Sequence, residues 1–305
     1  MKWLLKWTTR LVLLLAVAIA AFAGYVYYAS HREMSKVYAV SVPSIPIPTD
    51  AASIARGQYL VTHVSACVEC HGEDLGGKVV TDNVAMGRLV APNLTRGRGG
   101  LGASFSDRDF VRALLHGVRP DGRSVTFMPS ADFRFNEADL GAVIAYIKSV
   151  RPVDRELPQM TVGPMARTLG LLVDFPLTPA SKIDHANVTF ESARAANDPA
   201  AGLYIIATAG CRSCHGQDFT GGGGPPPGAA NITPVGIGGW SEQDFLRALR
   251  EHKRPNGSTI SEAMPRAYGQ MTDEDLEKIY AYLKTVPRKG EKTKSQLVSA
   301  TFATR

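Results

Sequence analysis

The sequence predicts a mainly α protein, with two tandem domains of like build behind one N-terminal transmembrane helix. Three observations carry that expectation. An uncharged apolar run follows a basic N-terminus. Two later segments repeat one another, each about 100 residues long and so within the usual size of a domain. Near the end of each repeat, apolar residues recur at helical spacing: Leu140, Val143, Ile144 and Ile147 in the first, Leu276, Ile279, Tyr280 and Leu283 in the second.

The N-terminal element comes first. Residues 1–10 carry Lys2, Lys6 and Arg10, and residues 11–30 are free of charge. About 20 apolar residues cross a bilayer. Trp3 and Trp7 at one end and Tyr25, Tyr27 and Tyr28 at the other fit the two aromatic belts, with the basic end cytoplasmic. The alternative is a cleaved signal peptide, because Ala21-Phe-Ala23 fits a small-residue cleavage site. Both readings export the rest of the chain. Residues 31–51 follow as a tether, semi-rigid and extended where Pro43, Pro46 and Pro48 restrict it.

The repeat sets the domain limits at 52–151 and 198–288. Gly57-Gln-Tyr59 answers Gly202-Leu-Tyr204, Asn93-Leu-Thr95 answers Asn231-Ile-Thr233, and Arg119-Pro-Asp-Gly122 answers Arg254-Pro-Asn-Gly257. Helices are expected over 52–62 and 199–209. Ser106 with Asp109 and Ser241 with Asp244 fit N-caps of helices that run to His116 and His252. Asn136 with Asp139 and Thr272 with Asp275 repeat that logic for last helices ending near Val150 and Val286. Neither cysteine pair is expected to be followed by strands. Residues 152–197 form a linker expected to pack over the domains or to offer a docking surface, and 289–305 a basic tail.

The four cysteines fall into two pentapeptides, Cys67-Val-Glu-Cys70-His71 and Cys211-Arg-Ser-Cys214-His215. C-x-x-C-H is the attachment signature of c-type haem. Two intervening residues make roughly one helical turn, so both sulfurs meet one edge of the porphyrin and the histidine faces the iron. Zinc sites of the ribbon type place their pairs roughly 15–20 residues apart, whereas more than 140 residues separate these. A thioredoxin-like pair needs a βαβ setting, and disulfides leave the histidines unexplained. Two covalently bound haem c groups are the expectation, held by Cys67, Cys70, Cys211 and Cys214.

His71 and His215 are then one axial ligand each, and the repeat selects the other. Met128-Pro129 and Met264-Pro265 each stand 12 residues before the aligned leucines Leu140 and Leu276. Thioether ligation favours ferrous iron and raises the reduction potential. Met271 aligns with Phe135 and Met86 has no counterpart, which sets them aside as core fillers. His63, His116 and His252 are the rival ligands, and their repeat mates are not histidine. Pro92 and one of residues 225–227 are candidates for a carbonyl that orients the axial histidine.

With these motifs in view, the chain resembles tandem class I cytochrome c domains. Over most of its length it is similar to membrane-anchored dihaem cytochromes and to the cytochrome subunits of periplasmic alcohol, sugar-acid and aldehyde dehydrogenases. The resemblance implies an electron carrier, not an enzyme, on a bacterial inner membrane with its haem domains in the periplasm. Electrons would arrive from a dehydrogenase or quinol-oxidising complex and leave to a terminal oxidase or a soluble cytochrome. A dihaem peroxidase and a haem-carrying anchoring subunit are the alternatives. Two methionine-ligated irons have no open site for peroxide. The net charge of +6 suits an acidic redox partner, and no motif supports nucleic-acid binding.

Overall fold

The computed structural model describes residues 2–173, 175–192, 198, 200–222 and 228–289. In chain order the elements begin with helices α1 (Lys2–Ser35) and α2 (Ala51–Tyr59), a π-helical turn (Leu60–Val64) and α3 (Val68–His71). Strands β1 (Lys78–Asn83) and β2 (Gly87–Ala91) precede α4 (Asp107–His116), α5 (Glu137–Ser149) and α6 (Pro164–Leu172). Then come α7 (Ala201–Ala209), α8 (Arg212–His215), α9 (Pro234–Ile237), α10 (Glu242–Glu251), a 3-10 turn (Arg266–Gln270) and α11 (Asp273–Thr285). They group into two compact units. One holds the chain up to Pro43 with Gly76–Ala131 and Pro152–Val188; the other holds Ser44–Leu75, Asp132–Arg151 and Thr189 onward.

The first unit is built on α1 and the hairpin. At about 1.5 Å per residue, the 34 residues of α1 exceed the length needed to cross a bilayer. Only Val26 and Ser30 of this helix are buried. Helix α6 packs on its C-terminal end, where Arg167 lies 4.7 Å over the Tyr27 ring and donates to Ser30 Oγ at 3.0 Å. Ala166, Phe175 and Leu177 form a small core there, with Met34 and Met86 against it.

The hairpin overturns the expectation that no strands follow the first cysteine pair. β1 and β2 pair antiparallel from Lys78 opposite Ala91 to Asn83 opposite Gly87. Val79, Val80 and Thr81 are β-branched and favour extended backbone. Asn83 Oδ1 accepts from Met86 N–H at 2.8 Å to close the turn. Six residues with no clean alternation left the strand illegible beside strong helical periodicity. The linker lies along this hairpin: Thr161 and Arg88 exchange hydrogen bonds of 2.9 Å, and Arg155 donates to the Gly77 carbonyl at 3.1 Å.

In the second unit each repeat contributes a crossed helix pair, α2 with α5 and α7 with α11. Glycine makes both crossings possible. A Cβ on Gly57 would stand 2.0 Å from the Ala142 carbonyl oxygen, and one on Gly202 would stand 2.0 Å from that of Lys278. The expected caps are present. Asn136 accepts from Asp139 N–H at the start of α5 and Thr272 from Asp275 N–H at the start of α11. Ser106 and Ser241 each close a full capping box.

Helix α2 stops at Tyr59, short of the expected end, and continues as the π-helical turn. One residue more separates Tyr59 from Cys67 than Tyr204 from Cys211. A π-turn accommodates one extra residue within a helix, so both motifs keep the same exit.

The two repeats clasp one another reciprocally within this unit. Tyr59 donates to Asp275 Oδ2 at 2.7 Å and accepts from Thr272 N–H at 3.1 Å. Its repeat mate Tyr204 donates to Asp139 Oδ2 at 2.5 Å and accepts from Asn136 N–H at 3.3 Å. Each tyrosine thus ties to the N-terminus of the other repeat's last helix.

Candidate functional site

Both pentapeptides adopt the same short helical turn. His71 N–H bonds to the Cys67 carbonyl at 2.8 Å and His215 N–H to that of Cys211 at 3.0 Å. Each turn stops at a glycine of positive φ, 79° at both Gly72 and Gly216. All four cysteines are free of disulfide bonds. Desolvation pushes the Cys67 and Cys211 thiols up to about 12. Redox-active CxxC pairs show the opposite shift, because their chemistry needs a stabilised thiolate.

His71 and His215 are both buried, at 7% and 9% exposure. Desolvation lowers the pKa of His215 while a bond to the Ala230 carbonyl partly opposes it. That carbonyl lies 2.7 Å from Nδ1. A neutral imidazole therefore donates from Nδ1 and keeps its lone pair at Nε2, the form a metal requires.

The described carbonyl against His215 Nδ1 is that of Ala230. The candidates at 225–227 lie outside the described residues. Ala230 is the repeat mate of Pro92, since each precedes an Asn-x-Thr triplet. Those triplets are structural clasps. Asn231 Oδ1 accepts from Thr233 N–H and Oγ1 at 2.8 and 2.7 Å, and its Nδ2 donates to the Lys289 carbonyl at 2.9 Å. Asn93 does the same with Thr95 and the Val153 carbonyl. The sequence showed the triplets without showing what they hold.

In the second repeat a cavity of about 390 Å³ opens beside the motif. Cys211, His215 and Met264 stand on its walls, with Trp240, Arg254 and Tyr268. Ile206, Phe245, Ile279 and Leu283 make the rest of the lining largely apolar. A planar macrocycle with a hydrophobic body fits such a space. A histidine, a methionine and the first cysteine of the pentapeptide all border it. Cys214 stands one helical turn from Cys211 on α8.

The other expected residues stand as follows. Cys67, Cys70 and His71 belong to the second unit. Met128 belongs to the first, half-buried, with its carbonyl accepting from Ser130 N–H at 2.8 Å. None of the rival histidines lines the described cavity. His63 packs edge-on against Tyr59, and His116 sits 3.2 Å from His185, Nδ1 to Nδ1. His252 is 2% exposed and adopts a left-handed conformation at the end of α10. It is a core residue rather than a surface one.

Comparison with known proteins identifies the family. The family model for cytochrome c matches residues 54–151 and 200–287. The chain is 29% identical over 283 residues to the fructose dehydrogenase cytochrome subunit of Gluconobacter japonicus, covering 82% of this chain and 56% of that one. It is 28% identical to the cytochrome c subunit of the alcohol dehydrogenase (quinone) of Gluconacetobacter polyoxogenes, over 78% of this chain and 57% of the relative. For the gluconate 2-dehydrogenase cytochrome c subunit of Pantoea cypripedii the identity is 26%, over 81% and 62%. The chain therefore spans little more than half the length of the relatives it matches. Two repeats built alike, each matched by the family model, make this chain a member of the cytochrome c family, with tandem cytochrome c domains behind one long apolar helix.

Proposed function

We propose that the protein is a dihaem electron carrier that accepts electrons from a dehydrogenase and passes them to a terminal oxidase or a soluble cytochrome. Cys67 with Cys70 and Cys211 with Cys214 would hold two haem c groups, with His71 and Met128, and His215 and Met264, holding the two irons. Haem c held in this way supplies a one-electron iron couple, raised in potential by the thioether. The observation that carries the reading is the meeting of His215 and Met264 on one apolar cavity beside Cys211.

The protein residues have three tasks here. The Ala230 carbonyl fixes the ring of His215, the apolar walls would keep water from the group, and the methionine would hold the iron and so keep substrates from it. The names of the relatives support a dehydrogenase as donor. Helix α1 would anchor the carrier in the inner membrane with the repeats in the periplasm. The test is reduction of the purified, membrane-extracted protein by candidate dehydrogenases, followed in the visible spectrum. Reduction by a dehydrogenase with its substrate supports the reading. Robust turnover of hydrogen peroxide, or a high-spin resting spectrum, would overturn it.

A further inference from the structure

The segments that carry the two attachment motifs touch within the second unit. Ser65, two residues before Cys67, donates to the Thr208 carbonyl, three residues before Cys211, across a buried 3.0 Å. Past Met264 and Pro265, the turn Arg266–Gln270 packs on the π-helical turn Leu60–Val64. There Ala267 N–H donates to Glu69 Oε1, inside the first pentapeptide, at 3.3 Å. The next residue, Tyr268, lines the cavity beside Cys211, and its hydroxyl donates to the Ala209 carbonyl at 2.8 Å.

The crossing is repeated in reverse. After Met128 and Pro129, Arg134 N–H donates to the Ala207 carbonyl at 3.1 Å, and Thr208 Oγ1 donates to the Arg134 carbonyl at 2.9 Å. Gly210 leaves room for Phe133, whose ring would stand 3.2 Å from a Cβ placed there. In each repeat, then, the stretch after the Met-Pro pair lies on the stretch that enters or forms the other repeat's attachment motif.

We propose that Tyr268 is a positioning residue shared by both haem sites, the point through which the state of one is felt at the other. The inference rests on the reading of the two CxxCH motifs as haem sites. Tyr268 faces the second site directly and, through Ala267 and Glu69, is fixed to the first. Burial holds its phenol pKa well above the usual phenol range. It therefore stays protonated at neutral pH and keeps its bond to Ala209. A charge that appears at one site meets a fixed dipole and a shared wall rather than water, so it shifts the other site.

The test is a spectroelectrochemical titration of the full chain with Soret circular dichroism. Wild type is compared with Tyr268→Phe, Tyr268→Leu and Trp240→Phe. A Cys67→Ala/Cys70→Ala chain assigns the two redox waves. Tyr268→Leu should shift both waves and alter the dichroism of both haems, and Tyr268→Phe should give a smaller change of the same kind. Trp240→Phe, which alters the wall of that cavity away from the first motif, should move only the C-terminal wave. If Tyr268→Leu loses haem, Tyr268→Phe still decides. Movement of the C-terminal wave alone in the Tyr268 variants, with both haems retained, overturns the proposal. A wild-type chain without covalent haem would instead remove the reading beneath it.

Discussion

Tyr204 donates its hydroxyl to Asp139 Oδ2 at 2.5 Å, joining the helix that enters the second attachment motif to the last helix of the first repeat. The same carboxylate takes Arg56 Nε and Nη2 in a two-pronged pair, both at 2.9 Å. Tyr59 and Asp275 make the mirror contact from the other side. The duplication is therefore an interface as well as a copy. It holds the segments that lead into the two pentapeptides together through matching tyrosines.

The two contacts should differ in strength. Tyr204 is 8% exposed, while Tyr59 is more open. Tyr204→Phe leaves a buried carboxylate and the Asn136 N–H without this partner, at a cost of roughly 2 kcal/mol. Tyr59→Phe should cost about 1 kcal/mol, because water replaces its hydroxyl. Denaturant unfolding followed by far-UV dichroism measures both. Equal losses would mean that burial does not set the difference.

Asp139 gives the protein an acid limit. Burial alone would raise its pKa, but Arg56, Tyr204 and Asn136 together hold it below the ordinary 3.8. The unfolded chain then binds that proton more tightly than the folded one. The stabilisation is fully present above 3.8 and is lost as pH falls through that value toward the lower folded pKa. Melting temperatures taken from neutral pH downward should drop in that window. Asp139→Asn should be less stable at neutral pH and should show a shallower acid slope. An unchanged slope would contradict the linkage.

Gly202→Ala probes the helix crossing. The new methyl would collide with the Lys278 backbone, which cannot rotate away. The expected loss is at or above the top of the roughly 1–3 kcal/mol typical of overpacking. Gly24→Ala on α1, where nothing lies within 4 Å, is the control and should bring no loss, because alanine favours helix over glycine. A well-folded Gly202→Ala protein of wild-type stability would show that the helices are farther apart.

The N-terminal helix makes a separate prediction. Washed membranes from expressing cells should retain the cytochrome, and its N-terminal sequence should begin at or near Met1. A soluble periplasmic form beginning at Gly24 would identify residues 1–23 as a signal peptide.

Local signals in this chain were legible where chemistry is carried by spacing. The CxxCH pentapeptides, the Ser106 and Ser241 capping boxes and the ends of α5 and α11 all follow from residues close in sequence. The hairpin escaped because Lys78–Asn83 is short and lacks alternation. Ala230 escaped because its contribution is a backbone carbonyl, which any residue supplies. Tyr59 and Tyr204 were visible as repeat mates, but their partners lie more than 60 residues away and no local pattern names them. Tyr268 has an aspartate as its repeat mate, Asp132, so self-comparison could not single it out.

Two-haem, methionine-ligated binding is tested by a haem and iron count on the purified chain, joined to the near-infrared sulfur-to-iron band of the ferric protein. Pyridine haemochrome should give two covalent haems per chain, and the band should weaken in Met264→Ala as the C-terminal potential falls. One haem per chain, haem removed by acid acetone, or a band and potential untouched by Met264→Ala would contradict such binding.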